Sequence, residues 1–353
     1  MASDVPATSA SPFDCVACGA HGTWHPGRQA VVCPACGTAI ETPGGLPSAP
    51  EAFEFLHLLR DRPDSGRDWQ PGATRVRCDA CGTQMDYPAY LAGRDCEGCG
   101  SPALIPCDET GAPVHPSGIV PFLLTEPEAR ERVAAWLEKQ RPTGSRRRFA
   151  IDTIRALYVP GWTFSARARV PWRAERLRTN RKGETEREPI DGVVEVTIDH
   201  DFVPATASVP ADLLAKADPF DAADLVAYDP RYLAGYEVEV YAVNLWDAWD
   251  ASDAQMQRRV DSAVRADAGR DAGGLETWPE WSGQRCQHVL VPVYAVTYTY
   301  GSQRYDALVN GRAGWVRGRT PSDPLGCLIS VVVLLGILGG LVLLVILAVR
   351  WLF

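Results

Sequence analysis

Lysine is nearly missing from this chain: Lys139, Lys182 and Lys216 are the only three in 353 residues, and arginine supplies the rest of the positive charge. We take this as a mark of genomic base composition and read no function into it. Positive charge is short overall, with 35 Lys and Arg against 44 Asp and Glu, a formal net charge of −9 and a pI near 5.3. That balance argues against a general nucleic-acid binder, because affinity for phosphate backbones comes mostly from neutralising them with basic side chains. Residues 1–14 have no basic n-region and no apolar h-region, so no secretory signal is expected there. The usual nucleotide and hydrolase signatures are missing too: no G-x4-G-K-[ST] loop, no G-x-G-x-x-G, no G-x-S-x-G and no H-E-x-x-H. What is present is ordinary globular composition, 46% apolar and 22% charged, enough to exclude a wholly disordered chain.

One long hydrophobic run exists. Leu325 to Val349 has no charged residue over 25 positions, longer than the roughly 20 needed to cross a hydrocarbon core of about 30 Å. It is expected to be a single transmembrane helix (325–349). Arg312, Arg317 and Arg319 precede it and Arg350 alone follows it. The positive-inside bias therefore places the large N-terminal part in the cytoplasm, on the inner membrane. Gly336 and Gly340 lie four apart in the run, a spacing at which two helices can approach closely and self-associate.

Eight of the eleven cysteines fall into a repeated pattern. Cys15-x2-Cys18, fourteen residues, then Cys33-x2-Cys36 is followed by Cys78-x2-Cys81, fourteen residues, then Cys96-x2-Cys99. A C-x2-C turn lets two thiolates bind one ion from a tight knuckle, and two knuckles complete the tetrahedron that Zn2+ accepts. Glycine follows the second cysteine of every pair, at Gly19, Gly37, Gly82 and Gly100, where φ > 0 is commonly required. Two structural zinc ions in two ribbons, at 13–42 and 75–108, are expected. Disulfides would need an oxidising compartment, which the expected topology denies. Iron or another thiophilic metal fits the same ligands, with geometry and abundance favouring zinc. His21 and His25 are surplus beside four cysteines, and Cys107, Cys286 and Cys327 read as plain thiols, Cys327 also as a palmitoylation candidate.

Residues 1–12 read as a disordered tail, and 43–74 as a flexible linker with a short apolar stretch from Phe53 to Leu59. From 117 to 320 an α+β body of two related halves is expected. Thr125-Glu-Pro-Glu opens a helix over 129–140, and Ala156–Trp172 and Val193–Ile198 read as antiparallel strands around a turn at Asn180. A strand from Tyr236, a helix capped by Ser252 and a strand from Val289 repeat that order, with Val159-Pro-Gly-Trp aligned to Val291-Pro-Val-Tyr. Asp199-His200-Asp201 and Cys286-Gln-His288 are the nearest approach to catalytic groups; the first sits at a strand end, where acid and His residues are usually solvated, and the second begins a strand. From Arg141 to Lys182, twelve basic residues face two acids. That stretch suits anionic headgroups, an acidic partner or plain solvation, and the acidic segment 191–229 can neutralise it.

The paired Cys-x2-Cys-Gly ribbons, Val120-Pro-Phe, Leu157-Tyr-Val-Pro-Gly-Trp-Thr-Phe, Tyr232-Leu-Ala-Gly-Tyr, Val309-Asn-Gly-Arg-Ala-Gly-Trp and the terminal run resemble the bacterial TFIIB-type zinc-ribbon membrane proteins over most of 78–353. The resemblance implies a non-enzymatic component of envelope-stress complexes, found with phage-shock coat proteins and SPFH-domain scaffolds. The expected function is a membrane-anchored zinc-ribbon adaptor whose partners are membrane or scaffold proteins. The rival reading is a membrane-associated nucleic-acid or transcription factor.

Overall fold

The computed structural model describes residues 13–41, 116–142, 148–179, 185–216, 221–239 and 241–322. It adds short pieces at 53–54, 74–78, 84–87 and 104–106 and the positions 333, 334, 337 and 340. Strands β1 (Thr23–His25) and β2 (Ala30–Val32) form a hairpin by themselves. β3 is Phe53–Glu54; β4 (Thr74–Cys78), β5 (Gln84–Tyr87) and β6 (Leu104–Pro106) make a three-stranded sheet with β4 in the middle. Everything else gathers on one ten-stranded mixed sheet.

Three long strands frame that sheet: β8 (Phe149–Thr179), β9 (Thr185–Pro204) and β13 (Glu280–Tyr300). β8 pairs antiparallel with β9 along its second half, and with β13 from Phe149↔Tyr300 to Arg169↔Glu280. The short strands are β7 (Gly118–Ile119), β10 (Val226–Ala227), β11 (Glu237–Val238), β12 (Ala272–Thr277), β14 (Gln303–Asn310) and β15 (Val316–Gly318). Helices α1 (Glu126–Lys139), α2 (Ala211–Lys216) and α3 (Leu245–Ala268) cover the sheet. The sequence explains the layering. Residues 157–164 of β8 and 286–294 of β13 are buried throughout, as a strand covered on both faces requires. Leu157, Val159, Val289 and Val291 meet Leu213 and Leu214 of α2, whereas Tyr158, Leu290 and Tyr294 cluster with Val133 and Leu137 of α1. Beyond the crossing, β8 alternates: Ala166, Ala168, Val170, Trp172 and Ala174 turn inward, and Arg167, Arg169 and Arg173 turn to solvent.

The contacts on either side of the Val159·Val291 pair repeat about an approximate two-fold axis. β7 pairs with β13 and β11 with β8, both in parallel, so each half lends its short strand to the other half's long one. Val120 N–H donates to Leu290 O at 2.9 Å, and Glu239 N–H to Tyr158 O at 3.0 Å. Leu123 N–H reaches Gly311 O at 3.0 Å, as Ala242 N–H reaches Ala205 O at 2.7 Å. The Tyr294 hydroxyl donates to Leu124 O (2.7 Å) where Trp162 Nε1 donates to Val243 O (2.8 Å). Thr125 and Asn244 are the N-caps of α1 and α3.

Three expectations are corrected. The class is mostly β rather than α+β, with three helices bounded among the described residues. Those helices are real, but they are lids on strands up to 31 residues long. Second, α3 begins at Leu245, capped by Asn244 Oδ1, which accepts the N–H groups of Trp246 and Asp247. Ser252 lies inside the helix, fully buried, its hydroxyl on Asp201. Third, among the described residues no helix is long and apolar enough to cross a membrane. The single-pass inner-membrane placement is therefore not supported. Of the expected span 325–349, only Val333, Leu334, Ile337 and Gly340 are described, all helical, and Gly340 has open space around it; Gly336 lies outside the described residues.

Candidate metal centre

The first cysteine set is brought together by two matched knuckles. Gly19 and Gly37 each adopt φ +74°. This lets Gly19 N–H return to Cys15 O at 2.8 Å and Gly37 N–H to Cys33 O at 2.9 Å. Cys15 N–H donates to Ala20 O and Cys33 N–H to Thr38 O, so both turns are the same structure carried on one hairpin. The Sγ atoms of Cys15, Cys18, Cys33 and Cys36 all lie within 4.8 Å of one another. Cys18 to Cys33 is 3.5 Å, Cys15 to Cys36 3.6 Å and Cys18 to Cys36 3.8 Å. A tetrahedral Zn2+ with bonds of about 2.3 Å needs thiolates about 3.8 Å apart, so the four ligands fit one such ion. Four thiolates close the coordination shell and leave no position for water or substrate. Cys15 and Cys33 are buried, Cys18 and Cys36 exposed. The hydroxyl and backbone N–H of Thr38 lower the Cys36 thiol to about 6. His21 Nδ1 sits 3.1 Å from Asp14 Oδ1, and His25 is outside the cluster.

Of the second set, Cys78 is buried at the end of β4; Cys81, Cys96 and Cys99 lie outside the described residues. One four-cysteine cluster is therefore described, where the sequence pointed to two.

The first ribbon is seated on the body. Trp24 is buried against Tyr232, ring centroids 4.7 Å apart. Trp24 N–H donates to Ala234 O at 2.8 Å, the Tyr236 hydroxyl to Trp24 O at 3.5 Å and Gln29 Nε2 to Phe122 O at 3.3 Å. Gly235 makes the close approach possible, since a Cβ there would lie 2.6 Å from the Thr23 side chain. Phe13, Trp24 and Val31 join the same core cluster as Phe122, Tyr158 and Leu233. The segment at Phe53 pairs with β13 at Cys286, so it too reaches the body.

The other candidates are placed as follows. A bulge in the β8–β9 register, with His200 at φ +49°, turns Asp199 and His200 into a cleft of about 410 Å³ and sends Asp201 inward. Asp201 accepts from Ser252 Oγ (2.7 Å) and Arg259 Nη2 (2.6 Å). The cleft wall also carries Asp221, Arg312 ion-paired with Asp224 at 2.7 Å, and the exposed Trp315. Among the described residues its lining contains no thiol, hydroxyl or amine. Cys286 and His288 are both buried in β13; burial pushes the Cys286 thiol up to about 12 and the His288 imidazole down to about 3. His288 packs between Trp162 and Tyr241, and among the described residues neither ring nitrogen has a hydrogen-bond partner. A buried carboxylate that the sequence reading missed is Glu239, gripped by the hydroxyls of Thr206 and Ser208 and the N–H groups of Ala207 and Ser208. Nothing in its local pattern, Tyr-Glu-Val-Glu-Val, distinguishes it from the half-buried Glu237 two residues before it.

The arginine-rich stretch is not a bare cationic surface. In register, Arg169 lies between Glu195 of β9 and Glu280 of β13, and Arg173 between Asp191 of β9 and Glu276 of β12. Arg169 Nη1 reaches Glu280 at 3.3 Å, and Arg187 reaches Glu175 at 3.2 Å. Arg169 and Arg173 of the central strand are thus flanked by carboxylates on both sides, whereas Arg167 lies between Thr197 and Ser282.

No family model matches this chain, and no solved structure matches it. It is similar to the uncharacterized protein YdjG of Bacillus subtilis (strain 168), 25% identical over 230 residues, which cover 62% of this chain and 67% of that protein.

Proposed function

We propose that the chain is a non-enzymatic adaptor: a zinc-stabilised ribbon fixed on a β body, offering its surfaces to protein partners. The observation that carries this reading is the closed four-thiolate cluster of Cys15, Cys18, Cys33 and Cys36, because a metal with all four positions filled by sulfur supplies structure rather than chemistry. A second structural zinc at Cys78, Cys81, Cys96 and Cys99 belongs to the same proposal and rests on the identical spacing. Scaffold proteins of a stress-response complex are the partners that the sequence resemblance favours. The rival reading, nucleic-acid binding, loses support from the carboxylates flanking Arg169 and Arg173, which leave those side chains little charge to offer phosphate. The test is a crosslinked pull-down of the full chain from native extracts, with and without chelator. Specific protein partners that depend on the metal support the adaptor; a salt-dependent mobility shift with DNA or RNA in place of partners would replace it with the rival.

A further inference from the structure

We infer that the first ribbon is an oxidant-responsive cover, whose metal cluster decides whether an aromatic seat on the body is closed or open. The inference rests on the metal occupancy proposed above and goes beyond it by naming the reaction that empties the site.

Three features carry it. Cys18 and Cys36 are exposed, with Sγ atoms 3.8 Å apart, so a small-molecule oxidant reaches two neighbouring thiolates without any opening of the fold. Each pairs at similar distance with a buried cysteine, Cys18 with Cys33 and Cys36 with Cys15. The ribbon's own secondary structure is two strands of three residues, too little to persist alone, so its folding energy comes from the metal. Most of the body does not share that dependence: the ribbon residues Phe13, Trp24 and Val31 enter only the cluster around Phe122 and Tyr158, and the clusters around Val159 and Val291, around Phe164 and Met256, and around Val170 and Val264 contain none of them. The seam between the two is imperfect as well. Trp24 Nε1 is buried there without a hydrogen-bond partner, a defect that weakens the seat.

The proposed step is a two-electron oxidation. Hydrogen peroxide takes two electrons from two metal-bound thiolates and two protons from solvent, forming one disulfide and two waters. The two remaining thiolates hold the ion poorly, and it leaves. Residues 13–41 then lose their organising centre, and Phe122, Tyr232 and Tyr236 are uncovered on a body that stays folded. Reduction of the disulfide and return of zinc close the seat.

The experiment uses the full-length, zinc-loaded chain, with its metal content measured before oxidation; a first set that carries no metal at that stage overturns the adaptor's structural-zinc premise and this inference together. Peroxide is then titrated in while zinc release, disulfide-linked peptides and deuterium uptake are followed. The expected result is loss of one zinc in step with a disulfide joining Cys18 to Cys33 or Cys36. Uptake should rise several-fold at 118–124 and 229–238, little at 157–164, and recover on adding thiol and zinc. Oxidation of the first set with unchanged uptake at 229–238 overturns the cover. A first set that stays reduced and metal-bound under excess peroxide overturns the response.

Discussion

His288 offers the sharpest test of the packing described above. Its ring is fully buried between Trp162 and Tyr241, with no partner for either nitrogen among the described residues, and burial lowers its pKa from 6.5 to about 3. The folded chain therefore holds a neutral imidazole at pH values where the unfolded chain holds a charged one. With the folded pKa below the unfolded value, the stability contribution is complete above pH 6.5 and is lost as pH falls towards 3. Each unit is about 1.4 kcal/mol, so this one side chain costs about 2 kcal/mol at pH 5 and about 4–5 kcal/mol by pH 3. His288→Phe keeps a planar ring in the slot and removes both the titration and the orphaned nitrogens. Urea melts from pH 7.5 to 4.5, followed by tryptophan fluorescence, should show the variant as stable as the parent or more so at neutral pH. The gap should then widen by about 2 kcal/mol at pH 5. Carboxylate titrations are common to both proteins and cancel in the difference. Parallel loss of stability in the two proteins between pH 6.5 and 4.5 would refute the reasoning.

Metal analysis of the purified chain should give two tightly bound zinc ions, and Cys33→Ser should remove one of them while the far-ultraviolet strand signal persists. Asp201→Asn should destabilise by about 2–3 kcal/mol in urea melts, because it removes a buried carboxylate accepting from both Ser252 and Arg259; an effect below 0.5 kcal/mol would show that the pair is dispensable. Arg169→Glu places three carboxylates in one cross-strand row with Glu195 and Glu280 and should cost about 1 kcal/mol, shrinking as salt is raised. Salt-independent destabilisation would point to lost packing of the arginine stem instead.

The sequence announces local devices well and distant ones poorly. The C-x2-C-Gly spacing was enough to foresee the first cluster, because its geometry is built within the span from Cys15 to Cys36. Thr125 was legible as a cap for the same reason: Glu128 accepts its N–H three residues away. Asn244 was missed because a serine eight residues later satisfied the same rule, and only the tertiary contact with Asp201 reveals that Ser252 is interior. The acidic segment 191–229 was legible as a counterweight to the arginines of β8 and supplies Asp191 and Glu195, but the carboxylates on the other side are set by strand register, with Glu280 more than a hundred positions away from Arg169. The seating of the ribbon was equally hidden, since Trp24 meets main-chain and ring atoms near residue 234. The β class was hard to see for a related reason. Strands buried on both faces, as at 157–164 and 286–294, lose the alternation by which a strand is recognised.

The exchange of short strands between the halves has a consequence during synthesis. β8 cannot find its main partner until β13 emerges from the ribosome, about 130 residues later, an interval of roughly 7–26 s at typical elongation rates of about 5–20 residues per second. Among the described strands, β8, 31 residues long, then has β9 beside it and only the short β11 and β12 to follow before β13, and its open edge is a template for pairing with other chains. Arg155, Arg167, Arg169 and Arg173 stand along the waiting strand. On β9, Glu195 and Asp191 already oppose Arg169 and Arg173, whereas Arg155 meets Glu237 only when β11 arrives and Arg167 lies between Thr197 and Ser282. Positive charge at Arg155 and Arg167 thus stays on the waiting strand, where it disfavours pairing with a sibling copy.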